Sequence, residues 1–340
     1  MRIGFLGAGR IGSFHAAALA GTDGVDELLI GDADSGRAAG LAARIGAIAA
    51  ESVDAVFDGG IDALVIATAT ASHAELITRA ARAGLPTYCE KPIALDLADT
   101  VHALREVESA GTMLQMGFQR RFDAGYRAAR EALRDGRLGR VHTIRAITSD
   151  AAPPPPEFLP YSGGLIRDCL VHDFDAVRWL TGREVVEVFA SGSAGGAAFF
   201  REAGDVDTAA ALLTLDDGTL VTATATRYNG AGYDVRMELS GELDQFVVGL
   251  DDRTPFTSAE PGGPAGPARP WADFQERFEG AYRAELAAFL RAARGEAANP
   301  CSGQQALYAL LVAEACELSR LEHRPVQLSE ITKRMSELGA

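Results

Sequence analysis

Several things this chain lacks narrow its class before any motif is read. Its 340 residues hold only four cysteines, Cys89, Cys169, Cys301 and Cys316, and no C-x-x-C pair. That excludes a disulfide framework or a zinc ribbon, and reduced thiols are expected. There is no run of lysine or arginine, and the net charge is −15. Nucleic acid and anionic membrane are therefore excluded as principal partners. An anionic cofactor is not, because backbone dipoles can bind phosphate locally. No stretch approaches the ~20 apolar residues of a membrane span. The opening "MRIGFLGAGRIG" has no signal-like apolar segment and reads at once as a strand. No secretory signal is expected, and the cytoplasm is the expected location. Internal repeats are absent, so a solenoid is excluded.

What is present points to two domains, because a chain of this length exceeds one typical core. Through about Phe122 it alternates strands and helices. "RIGFLG", "DELLIGDAD", "IDALVIAT", "LPTYCEKP" and "TMLQMGF" read as strands, with helical patterns between them. "IDALVIAT" is apolar without alternation, as a strand covered on both faces should be. Asp96 is the expected N-cap of "LADTVHALREVESA" and Gly111 follows its end. This order predicts a doubly wound parallel sheet over residues 1–122. Later the texture changes. "EVVEVFAS", "VDTAAALLTL", "TLVTATATRY" and "DVRMELSGE" read as consecutive strands, with a hairpin turn at Asp217-Gly218. A second α/β domain, 123–340, with an open and largely antiparallel sheet is expected. Two helices, around residues 276–294 and 304–322, are expected to close the chain.

"GAGRIG", running from Gly7 through Gly9, Arg10 and Ile11 to Gly12, fits G-x-G-x-x-G between a strand and a helix. The context is what the motif requires of a dinucleotide loop. Gly7 permits the tight turn, Gly9 the approach of the pyrophosphate, and Gly12 the packing of helix on strand. Asp32 falls 20 residues after Gly12, at the end of the second strand. A carboxylate there accepts both ribose hydroxyls and repels a 2′-phosphate, so NAD is expected over NADP. Arg10 and Arg37 are the cations that would soften this preference.

Lys91 of "YCEKP" lies at the carboxyl edge of the first sheet, where such sheets bind ligands. The proline after it constrains its backbone. In "GGLIRDCLVHDFDAVRWL" a helical reading puts Ile166, Leu170, Phe174, Val177 and Leu180 on one apolar stripe. Asp168, His172, Asp175 and Trp179 then share the other side. Asp173 falls in the stripe and needs a buried partner. An Asp/His pair four apart also suits a metal, but no third and fourth ligands occur at fitting spacing, and no metal is expected. A solvated charged face is the other alternative. With Lys91 and a nicotinamide, a proton relay is the better account.

"GAGRIG", "EKP" and "GGLIRDCLVHDFD", in this order, resemble the glucose–fructose oxidoreductase and inositol dehydrogenase family. "GFQRRFDAGY", "PPPPEFLPYSGG", "GYDVRMELSGE" and "GLDDRTP" look like its inositol 2-dehydrogenase branch. The resemblance runs over essentially the whole chain. It implies a Rossmann domain, a second domain for substrate binding and oligomerisation, and a homotetramer or homodimer built through the open sheet. It also implies Lys91, Asp168 and His172 as the catalytic trio. Arg120, Asp150 and Tyr233 match positions that contact substrate. Thr68, Ala69, His73 and Glu90 match the cofactor-side turns, and Trp271 and Tyr282 are further candidates near the cofactor. Two departures bear on the substrate: no arginine stands before Asp150, and Cys169 follows Asp168.

The function these readings imply is oxidation of a cyclic polyol, myo-inositol first, by NAD. The alternatives are a sugar or keto-sugar oxidoreductase of the same family and a non-catalytic sensor of dinucleotides.

Overall fold

The computed structural model describes residues 1–337. The chain folds as two units, and its first unit comprises Met1–Gln119 together with Gly280–Leu307. Its strands are β1 (Arg2–Leu6), β2 (Glu27–Gly31), β3 (Ile48–Ala49), β4 (Ala63–Ile66), β5 (Thr87–Glu90) and β6 (Leu114–Gly117). They form one parallel sheet in the order β3-β2-β1-β4-β5-β6. All residues of β4, β5 and β6 are buried, which explains the unbroken apolar run of β4. Strand order reverses between β1 and β4, and ligands of such sheets bind outside the carboxyl ends at that point. Ile3, Phe5, Ile30 and Val65 pack with Leu286 and Phe289, which the helix Glu279–Ala293 brings back to this core. The helix Leu97–Ala110 is capped as its sequence predicts: Asp96 accepts from the Asp99 N–H, and Gly111 adopts the left-handed conformation.

The second unit comprises Arg120–Glu279 and the chain from Tyr308 on. Its strands are β7 (Val141–Ser149), β8 (Val185–Ser193), β9 (Thr208–Leu215), β10 (Leu220–Thr226), β11 (Asp234–Gly241), β12 (Gln245–Val248) and β13 (Val326–Gln327). The sheet order is β12-β11-β7-β10-β9-β8-β13. β10 and β7 run parallel and the other neighbours antiparallel. The hairpin at Asp217-Gly218 joins β9 to β10 as expected, closed by the Leu215 N–H to the Thr219 carbonyl. Burial alternates along β9 and β10, so one face is covered and the other open. Phe189 of β8, Leu212 of β9 and Leu220 of β10 stand exposed.

Two sequence expectations need correction. The chain does not close with the helix ending at Glu322: β13 and a helix, Leu328–Glu337, follow it. Leu328 and Ile331 alone are buried on that helix, too few to show in a hydrophobic pattern. "GGLIRDCLVHDFDAVRWL" is not one regular helix either. A π-helical turn, Ile166–Leu170, precedes the α-helix Val171–Thr181. The wider turn rotates Asp168 relative to the residues that follow, and π turns gather at functional sites. Asp175, three residues after His172 in that α-helix, is buried against Arg121, at 2.9 and 2.5 Å. No helix among the described residues is long and apolar enough to cross a membrane.

Candidate active site

The first unit gathers its candidates at the carboxyl edge of its sheet. Gly7 has φ +108, and a methyl group there would stand 2.3 Å from the Ala67 carbonyl oxygen. One at Gly12 would stand 2.0 Å from the Gly7 carbonyl oxygen. Gly9 caps the helix Arg10–Ala20 and meets open space instead. Two glycines thus close the turn while the third leaves room beside a helix N-terminus, as a pyrophosphate requires. The chain therefore fits a dinucleotide by its own backbone. Asp32 joins this loop to the second strand. It accepts from the Ala8 N–H at 2.7 Å, the Asp34 N–H at 2.9 Å and Arg37 at 2.9 Å.

His73 binds two turns of this edge together. Its ring nitrogens lie 2.7 Å from the Pro92 carbonyl and 3.1 Å from the Thr68 carbonyl. Burial holds its pKa below the ordinary imidazole value, against the pull of those two carbonyls. Thr68 Oγ1 lies 2.7 Å from Ser72 Oγ, and Ala69 begins the same turn. Lys91 follows β5 at once, and its bond to Pro92 is cis. Glu90 lies inside. It meets His15 at 2.6 Å and the Tyr88 hydroxyl at 3.1 Å. Burial pulls the Glu90 carboxyl up, but His15, Lys91 and Tyr88 together hold it below its usual range. The Tyr88 hydroxyl also donates to Glu285, at 3.0 Å. Tyr282 packs edge-on against Phe14 and His15.

The second unit gathers its candidates through ion pairs. Asp173 has the buried partner its position demands: Arg120 donates to Oδ1 and Thr148 to Oδ2. Burial alone would lower the Arg120 guanidinium, but Asp173 beside it holds it above its ordinary range. The second guanidinium nitrogen of Arg120 donates to Thr148 at 2.8 Å, and its Nε has no partner among the described residues. Arg121 and Asp175 form a parallel pair one position along. Together the two arginines anchor the helix that carries His172. Asp150 and Asp168, far apart in sequence, are brought together by Arg227, at 2.8 and 2.6 Å. Tyr233 is buried, with its N–H on the Trp271 carbonyl at 2.8 Å. The Trp271 indole donates to Asp251 and lies under Arg253.

Arg227 escaped the sequence reading, as did His15, Tyr88 and Glu285. Arg227 had one signal: it is the sole charge in "TLVTATATRY", directly after a strand otherwise of small and apolar residues. No group of three or more candidate metal ligands occurs among the described residues.

Fold and loop geometry define an oxidoreductase-type dinucleotide-binding unit joined to a second α/β unit. Residues 1–118 match the oxidoreductase family with NAD-binding Rossmann fold, and residues 126–247 match the GFO/IDH/MocA C-terminal domain. The chain belongs to the GFO/IDH/MocA oxidoreductase family. It is 40% identical over 304 residues to a myo-inositol dehydrogenase of Streptomyces leeuwenhoekii, covering 89% of this chain and 91% of that one. A crystal structure of a myo-inositol dehydrogenase of Corynebacterium glutamicum superposes with TM-score 0.87 at 33% identity, covering 96% of this chain and 98% of that one. A scyllo-inositol dehydrogenase of Lactobacillus casei with bound NAD(H) and scyllo-inositol superposes at TM-score 0.88 and 27% identity, covering 97% and 99%.

Proposed function

We propose that this protein is an NAD-dependent dehydrogenase of cyclic polyols, oxidising one ring hydroxyl, with myo-inositol to 2-keto-myo-inositol as the first reaction to test. The observation that carries this reading is the match to inositol dehydrogenases along nearly the whole chain, 40% identical over 304 residues in one case. Residues 1–122 would serve the dinucleotide and 123–340 the substrate and oligomerisation. A homotetramer or homodimer through the open face of the second sheet, in the cytoplasm, goes with the reading. Exposed Phe189, Leu212 and Leu220 on that face support it.

Gly7, Gly9, Arg10, Ile11 and Gly12 would hold the pyrophosphate, with Asp32 on the ribose and Thr68, Ala69, His73 and Glu90 shaping the nicotinamide side. His172, neutral, takes the proton of the substrate hydroxyl, and Asp168 offsets the charge this creates. Lys91 donates to the developing alkoxide and stabilises it. A bound NAD would supply the acceptor for the hydride of the carbinol carbon. Asp150 and Tyr233 hold neighbouring hydroxyls. Arg120 braces Asp173 and has Nε left for substrate.

The test is NADH formation with myo-inositol, scyllo-inositol, D-chiro-inositol, glucose and xylose in parallel. An inositol isomer should give the highest kcat/KM. If an aldose outperforms them all, the sugar oxidoreductase reading replaces this one; if nothing turns over, the sensor reading does.

A further inference from the structure

Three segments converge on one guanidinium in the second unit. β10 and β7 are parallel, with Thr226 opposite Ser149, so Arg227 and Asp150 leave their strands side by side. The Asp150 N–H on the Thr226 carbonyl, at 2.9 Å, keeps that register past the strand end. The Arg227 N–H is held in turn by the Asp207 carbonyl at 2.8 Å. The third segment is the π turn, which presents Asp168 to the other side of the same guanidinium. The side chain of Arg227 is 5% exposed, whereas Asp150 and Asp168 are 23% and 17% exposed. The arginine therefore lies behind, and the two carboxylates stand in front of it.

A guanidinium in that place has a particular consequence. Two aspartates on one cation are drawn to fixed positions, because the planar fork offers separate nitrogens to each. Without it they would repel each other, and one would take up a proton. Burial alone would lower the Arg227 guanidinium; Cys169, Asp168 and Asp150 hold it above its ordinary range. A lysine could not reproduce the arrangement, since an ammonium is a point charge without a fork.

We propose that Arg227 is the positioning residue of the polyol site: it holds Asp168 of the relay and Asp150 of the substrate contacts in one rigid, ionised pair. It also supplies, from β10, the arginine that the segment before Asp150 lacks. The guanidinium is occupied by two carboxylates of the protein, so the site favours uncharged polyols over sugar acids. This rests on the dehydrogenase reading above, and the two fail differently.

The experiment uses the full chain and whichever screened polyol or sugar the unmodified enzyme oxidises fastest. Arg227→Ala should lower kcat at least about tenfold, less than the about 10²-fold loss of a direct acid–base group because Arg227 acts through Asp168. It should also raise KM for the polyol, because both aspartates lose their anchor. NADH affinity, read by fluorescence, should be unchanged. Added guanidinium ion at sub-denaturing concentration should restore part of the kcat of Arg227→Ala and leave the unmodified enzyme unaffected. Arg227→Lys should fold and fall between the two. Near-normal kcat and KM in Arg227→Ala overturn the proposal. So does loss without guanidinium rescue at an unchanged melting temperature. If Arg227→Ala does not fold, Arg227→Lys decides, and normal turnover in it overturns the proposal too. Failure of the dehydrogenase reading would show earlier, as an unmodified enzyme that oxidises none of the alcohols, and the positioning role would fall with it.

Discussion

The two units hold their inward-facing acids by different chemistry. In the first, Glu90 and Glu285 share the Tyr88 hydroxyl, and Glu90 takes His15 as well. In the second, Asp173, Asp175, Asp150 and Asp168 rest on Arg120, Arg121 and Arg227. Imidazole and phenol can give up a proton, whereas a guanidinium in a protein does not. The first unit thus sets hydrogen-bonding rings around Glu90, the neighbour of Lys91. The second unit uses fixed charges. A second contrast follows from the ligands. A pyrophosphate is met by backbone N–H groups, which glycine spacing alone can provide. A polyol is met by side chains, and these must be braced by other side chains from distant segments.

The largest expected effect tests the fixed charges of the second unit. Arg120→Ala leaves Asp173 buried without its cation, and breaking such a pair costs about 3–5 kcal/mol. Urea unfolding should register that loss. Arg120→Met with Asp173→Leu should recover most of it, because a buried pair replaced by apolar groups of similar volume is often neutral. A single variant as stable as the parent would show that the helix carrying His172 does not depend on its arginine anchors.

The next effect compares the two halves of the proposed relay. Lys91→Ala, in the first unit, and His172→Ala, in the second, should each lower kcat by about 10² or more. His172→Ala should leave NADH affinity unchanged. Near-normal turnover in both variants removes the relay.

The smallest effect belongs to the backbone-made site. Asp32 should favour NAD over NADP by at least tenfold in kcat/KM, about 1.4 kcal/mol. Asp32→Ser removes the repulsion of a 2′-phosphate and releases Arg37, which rests on Asp32. The preference should narrow or reverse. An unmodified enzyme that prefers NADP would show that Arg37 outweighs the carboxylate.

Legibility divides along the same line as the chemistry. Gly7, Gly9, Gly12 and Asp32 could be read from spacing because each acts through its own backbone or the end of its own strand. The Asp96 cap and the Asp217-Gly218 hairpin were legible for the same reason: their partners lie within a few residues. Asp173 was legible as a demand, a carboxylate on an apolar stripe, without its answer in Arg120, 53 residues away. The turn of Asp168 relative to His172 was not legible, because a regular helix was assumed through Ile166–Leu170 and no residue there announces a π turn. Glu285 lies 197 residues from Tyr88, beyond the reach of any pattern.

The sequence by itself therefore determined the parallel sheet, the glycine turn of the dinucleotide loop, the acid at the end of β2 and the order of "EKP" before "GGLIRDCLVHDFD". Local hydrogen bonding and hydrophobic periodicity are properties of neighbouring residues. Tertiary structure alone decided that Arg227 would join Asp150 to Asp168, that Asp175 would find its partner in Arg121, and that the helix Glu279–Ala293 would return to the first core. A buried charge is stable only beside its counter-charge, and which residues become neighbours is settled by how strands and helices pack, not by their separation along the chain.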